Sequence, residues 1–163
     1  MLMTASARHT GHPGYSETLP CNEASVSTAR LLVRTALATW GLDAAADDGA
    51  LIVSELVTNA VRHSGSAACR VIVTRPEPSL VRVAVTDRSR RMPDLLNAPA
   101  DAVSGRGLAL VDALADRWGT DRMHWGKRVW AELRVGPSKP AQDDRPAPDD
   151  HVPDAGRCKA AHP

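Results

Sequence analysis

At 163 residues the chain suits one domain of about 100–150 residues with tails. A net charge of +1, with no block of like charge, excludes the basic footprint of a direct nucleic-acid binder. No apolar run approaches the roughly 20 residues that a membrane helix needs, so no membrane partner is expected.

Hydrophobic residues make up 43% of the chain, enough for a core. With no Phe and one Tyr, that core must come from Val, Leu, Ala and the four Trp. The N-terminus lacks the apolar centre of a signal peptide, which predicts a cytoplasmic protein. Cys21, Cys69 and Cys158 are scattered without a C-x-x-C spacing and read as free thiols.

Residues 1–14 are small, polar and without period, and are expected as a disordered tail. Tyr15 to Cys21 reads as a short edge strand. Asn22 or Ser25 can cap a helix in which Val26, Ala29, Val33, Ala36, Leu37 and Trp40 share a face, with Gly41 stopping it. Asp43 and Asp47 offer caps for the next helix, which ends near Ser64-Gly65.

On that helix Ala50, Val53, Leu56, Val57, Ala60 and Val61 fall on one arc at 100° per residue. Glu55, Asn59, Arg62 and, at the edge, His63 fall on the opposite arc. Glu55 and Asn59 are four apart, so a carboxylate and an amide oxygen sit one above the other. The set suits a metal-bound phosphate with a hydroxyl to orient beside it. The plainer reading is a solvated face with an ordinary Glu–Arg pair.

The period then changes from helix to strand. Cys69 to Thr74 alternates, Pro76 to Ser79 is a turn, and Leu80 to Asp87 alternates again. Val81, Val83, Val85 and Asp87 point one way, which ends an apolar stripe on a carboxylate. Asp87 is either a surface residue marking a turn or a recognition carboxylate at a pocket mouth. Residues 88–104 form a long irregular stretch of the kind that serves as a lid. Gly105-Arg106-Gly107 then opens a helix carrying Leu108, Val111, Leu114, Ala115 and Trp118. Two strands are expected next: Trp118 to Trp125 is irregular, a turn holds Gly126, and Val129, Ala131, Leu133 and Val135 alternate. From residue 136 onward lie half of the chain's twelve prolines, and this segment is expected to be disordered.

The predicted architecture is a single α+β domain over 15–135. It is a two-layer sandwich, mainly antiparallel sheet with helices on one face, and its ligand would lie between the layers. Gly105-x-Gly107 at a helix start lets backbone N–H groups approach a phosphate. It is neither a Walker A loop nor a dinucleotide fingerprint, which need other flanking residues.

The order Glu55/Asn59 on one helix, Asp87 ending a strand, a lid, then Gly105-Arg106-Gly107 resembles the Bergerat-type ATP-binding fold. That fold is shared by DNA gyrase, sensor histidine kinases and MutL-type proteins. More closely, Glu55-Leu-Val-Thr-Asn59-Ala-Val-Arg-His63-Ser64 and Gly105-Arg-Gly-Leu-Ala-Leu-Val111 look like the small anti-sigma-factor serine/threonine kinases.

The resemblance implies ATP and Mg²⁺ as cofactors, with Asn59 as the metal ligand and Glu55 as the catalytic group acting on the attacking hydroxyl. Asp87, with Ser89 after it, would take the adenine amino group. Arg62, His63, Gly105, Arg106, Gly107 and Leu108 would contact or frame the phosphates. Two departures stand out. Asp87-Arg-Ser89-Arg-Arg91 carries Ser89 and Arg91 where the superfamily has glycines. Arg128 stands where relatives carry a Thr supporting the adenine carboxylate, and is expected to pair with Asp87 and compete with adenine.

The resemblance further implies a sigma factor or an anti-sigma-factor antagonist as partner, and homodimerisation through the first strand and helix. The alternatives are a non-catalytic nucleotide-binding interaction module and an ATPase without kinase function.

Overall fold

The computed structural model describes residues 4–5, 12–89 and 106–136, with residues 4, 5, 106 and 107 described by backbone alone. Residues 90–105 and 137–163, which hold Arg91, Gly105, Cys158 and most of the expected lid and tail, lie outside the described residues. In chain order the elements are β1 (Thr4–Ala5), β2 (Gly14–Pro20), α1 (Ser25–Thr39), a 3-10 turn (Asp43–Ala45), α2 (Ala46–His63), β3 (Ala68–Glu77), β4 (Leu80–Asp87), α3 (Arg106–Leu114), β5 (Arg117–Met123) and β6 (Gly126–Arg134). The strands form one sheet in the order β1-β2-β3-β4-β6-β5, every pair antiparallel. The α+β sandwich expected from the sequence is the architecture found.

Period-2 alternation puts Leu19, Cys69, Val71, Val73, Val81, Val83, Val85, Val129, Ala131 and Leu133 in one core with α1, α2 and Val111 of α3. On α2 the buried set is Gly49, Ala50, Ile52, Val53, Leu56, Val57 and Ala60. Each fully buried Val, Leu or Ile is worth about 1.5–3 kcal/mol. That outweighs the few tenths by which β-branched residues disfavour a helix, so packing holds α2 in place. Positive-φ glycines, Gly41 at 70° and Gly65 at 61°, close α1 and α2.

Four local expectations change. β2 is not an edge, because Thr4–Ala5 pair with Ser16 and Tyr15 and use the backbone groups that a free edge would leave open. Trp118, read on the face of the preceding helix, instead lies in β5, the first of the two strands expected there, where it pairs with Ala131 of β6. β3 runs on through Glu77 past an irregularity after Thr74, leaving a tight turn at Pro78-Ser79. Asp43 and Asp47 make no capping hydrogen bond. Asp47 instead pairs with Arg34 of α1 at 2.9 Å, and with Asp48 it places negative charge at the positive end of α2. Asn22 does serve α1, its Oδ1 accepting the Ser25 N–H at 3.2 Å.

The outer face of the sheet is polar and holds one buried carboxylate. Arg82 and Arg117 both donate to Glu132, which is buried between them. Trp130 lies 4.8 Å from the Arg82 guanidinium and donates its indole N–H to Asp121 at 3.2 Å. Burial pushes the Glu132 carboxyl up, but the hydrogen bonds from Arg117 and Arg82 outweigh it and hold it below the ordinary glutamate value. The same carboxylate holds the Arg117 guanidinium above its ordinary value.

Candidate functional site

Packing of Val53, Leu56, Val57 and Ala60 into the core fixes the rotation of α2 and so fixes the opposite arc. Glu55 and Asn59 lie half-buried on that arc, one turn apart, and Arg62 and His63 are exposed beyond them. Among the described residues neither the Glu55 nor the Asn59 side chain is hydrogen-bonded, and Glu55 forms no ion pair with Arg62. The ordinary Glu–Arg pairing is therefore not made. An acceptor-only carboxylate and an amide oxygen are left available on one turn of helix.

The C-terminal end of α2 is tied to the end of β4. Ser89 Oγ donates to the His63 carbonyl at 3.4 Å, and the Arg88 N–H donates to Ser66 Oγ at 3.1 Å. These bonds bring Asp87 and Ser89 to the same end of the molecule as His63, one turn beyond Asn59. α3 packs against α2. Leu108 is buried, so its contribution is to anchor α3. Glu55, Asn59 and His63 on α2 and Asp87 and Ser89 at the end of β4 thus lie on neighbouring elements, while Gly105 lies outside the described residues.

Asp87 continues the Val81-Val83-Val85 stripe and is only 2% exposed. Its Oδ1 accepts the Ser89 N–H at 2.7 Å, which orients the carboxylate across the turn. Its Oδ2 lies 3.4 Å from Lys127 Nζ, and both side chains are 1% exposed. Among the described residues Lys127 Nζ has no hydrogen-bond partner. A buried ammonium with one off-axis counter-charge is poorly satisfied, since desolvation costs several kcal/mol per ion.

This corrects the expected Arg128–Asp87 pair. In the β4–β6 register Asp87 faces Lys127, whereas Arg128 faces Thr86 and, across β5, Asp121. Successive side chains alternate faces, so a shift of one residue moves the partner from the outer face to the core face. Lys127 is the site residue that sequence reasoning missed. The signal was present: Val129, Ala131 and Leu133 point inward, and counting back by two places Lys127 in the same stripe. Gly126 beside it is required by contact, because a Cβ there would lie 2.1 Å from the Asp87 carbonyl oxygen.

Two thiols lie beneath this end of the sheet. Cys21 Sγ is 3.5 Å from Ser64 Oγ. Burial, and then the neighbouring Cys21, push the Cys69 thiol up to about 12, so it stays protonated and unreactive. Both cysteines are free, as expected.

Among the described residues no group of three or more His, Cys, Asp or Glu is placed to hold a metal. The oxygens of Asn59 and Glu55 fit a cation that takes most of its ligands from phosphate and water, as Mg²⁺ does. No described helix is long and apolar enough to cross a membrane.

Residues 19–133 match the family model of the histidine kinase-like ATPase domain. An uncharacterized protein of Streptomyces coelicolor is 41% identical over 73 residues, covering 43% of this chain and 70% of that protein. The crystal structure of the RsbU and RsbW domains of a Mycobacterium tuberculosis protein shares the fold with a TM-score of 0.59 at 24% identity. That match covers 76% of this chain, which spans only 32% of the other. With residues 19–133 matched, the chain belongs to the histidine kinase-like ATPase domain family.

Proposed function

We propose that the protein binds Mg-ATP and transfers its γ-phosphoryl group to a serine or threonine of a protein antagonist, as anti-sigma-factor kinases do. The observation that carries this reading is the Glu55/Asn59 turn on α2, whose side chains have no partner among the described residues and which is tied to Asp87 through Ser89 and His63. Asn59 offers its side-chain oxygen to Mg²⁺, which when bound neutralises charge on the transferring phosphate. Glu55 orients the attacking hydroxyl and takes its proton as the new O–P bond forms and the bond to ADP breaks. Asp87 accepts from the base, and the backbone N–H groups at the start of α3 face the phosphates. Arg62 and His63, exposed at the end of α2, supply donors at the rim.

The partner is a sigma factor or its antagonist. Phosphorylation of the antagonist would add close to two negative charges, enough to break its interface. Homodimerisation through β2 and α1 belongs to the same proposal.

A second reading is a nucleotide-binding interaction module without catalysis. The buried Lys127 against Asp87 favours it, because an ion pair already occupies the carboxylate that the base would use. Incubation with radiolabelled Mg-ATP and candidate antagonists separates the two. The kinase reading predicts labelled antagonist that disappears with Glu55→Ala; nucleotide binding without any transfer leaves the module.

A further inference from the structure

We infer that the outer face of the sheet is a docking site for the chain's own Asp-rich segment 143–150, held in cis by Arg70 and Arg128. The helices pack into the core on the other face. On the outer face one cross-strand row runs from Arg70 of β3 through Thr86 of β4 and Arg128 of β6 to Asp121 of β5. With strands about 4.8 Å apart, the backbones of the two arginines are roughly 10 Å apart. The side chains between and beside them are short: Thr86 is 6% exposed and Ala84, in the next row, 4%. Two cations thus flank a low, uncharged strip.

The arginines of this face divide by partner. Arg82 and Arg117 share Glu132, and Arg134 pairs with Asp116 at 3.1 Å. Arg70 and Arg128 have no carboxylate partner among the described residues. Arg70 donates to Ser16 Oγ at 2.8 Å, which leaves its charge uncompensated. Arg128 faces Asp121 in the register, but Asp121 accepts the indole N–H of Trp130 instead. The Arg128 Nε is buried and has no hydrogen-bond partner among the described residues. A guanidinium carries five donors, and one withdrawn from water and left unmade gains from a carboxylate that reaches it.

The chain carries such carboxylates close by. Asp143-Asp144-Arg145-Pro146-Ala147-Pro148-Asp149-Asp150 places one pair of aspartates for each arginine. Arg128 stands six residues before Arg134 on β6, about 20 Å back along the strand at 3.3 Å per residue. Seven residues from Gly136 to Asp143 span up to about 24 Å, so the segment reaches that row. Gly136 ends the strand at a φ of 144°, a backbone conformation that favours glycine, and lets the chain leave the strand direction. A tether of this length holds the aspartates at an effective concentration in the millimolar range, so a contact weak in isolation is populated.

A protease that cuts on the N-terminal side of aspartate reads the contact in the full chain. Its rates at Asp143, Asp144, Asp149 and Asp150 are compared with those in a synthetic peptide of residues 137–163. At low salt the full chain is expected to be cut there about three- to tenfold more slowly than the peptide. The protection should vanish in Arg70→Gln/Arg128→Gln, and in about 1 M salt, where charges are screened beyond about 3 Å.

Equal rates in wild type and peptide would overturn the inference. Protection that persists in the folded double variant would do the same, since it would come from general shielding by the domain. Protection lost on dilution of the full chain would assign the segment to a second copy and overturn the contact in cis. Should the double variant not fold, the salt dependence of the wild-type protection decides alone.

Discussion

Asp87 of β4 and Lys127 of β6 face each other across the sheet, 3.4 Å apart and both almost wholly buried. Removing one member strands the other. Asp87→Ala is expected to destabilise the protein by about 3–5 kcal/mol, because it leaves an uncompensated ammonium. Adding Lys127→Met to that variant should recover most of the loss, since replacing a buried pair by apolar groups is often neutral. Urea unfolding of the two single variants and the double variant checks this. Loss of nucleotide binding in Asp87→Ala has meaning only beside that measurement.

Gly126 makes the closest approach to the site from β6. Gly126→Ala would force a Cβ to within 2.1 Å of the Asp87 carbonyl oxygen, which is backbone and cannot rotate away. A loss of about 3 kcal/mol is expected, at the upper end for overpacking. The thermal midpoint should fall, and nucleotide affinity with it, because Asp87 must move.

Glu132 gives the fold a pH dependence of known sign. Its folded value lies below the unfolded one. Its stabilisation is therefore fully present above the ordinary glutamate value of about 4.3 and is lost as pH falls below it. The effect is tempered by solvent, since Arg117 is 64% exposed. In Glu132→Gln the unfolding midpoint should be lower at pH 7 and flatter between about pH 5 and 3. Denaturant curves across that range test it.

The Glu55 and Asn59 side chains have no hydrogen bonds among the described residues, so their removal should leave the fold almost untouched. Both alanine variants are expected within about 0.5 kcal/mol of wild type. Asn59→Ala should lose the Mg²⁺-dependent part of nucleotide binding. Glu55→Ala should retain binding and slow phosphoryl transfer by about 10²–10⁴-fold. Paired binding and transfer assays separate these roles.

The sequence carried the layers and most of the site for a physical reason. Val53, Leu56, Val57 and Ala60 announce the face of α2, and Val81, Val83 and Val85 announce that of β4, because one side of each must be buried. Glu55, Asn59 and Asp87 follow from those faces by counting. β5 was legible only as an irregular strand, because residues 117–123 alternate poorly and its bounds come from pairing with β6. The caps assigned to Asp43 and Asp47 failed because tertiary charge took Asp47 to Arg34. Lys127 was missed because a cation on the apolar side of a strand breaks the pattern that identifies the side. Counting back by two from Val129 places it on that side, and the register with β4 sets it opposite Asp87.

Calorimetric titration of the full chain with ATP, with and without Mg²⁺, tests the central claim most directly. One nucleotide per chain is expected, bound more tightly with Mg²⁺ in wild type and without that gain in Asn59→Ala. A folded wild-type protein that takes up no ATP at millimolar concentration would contradict it.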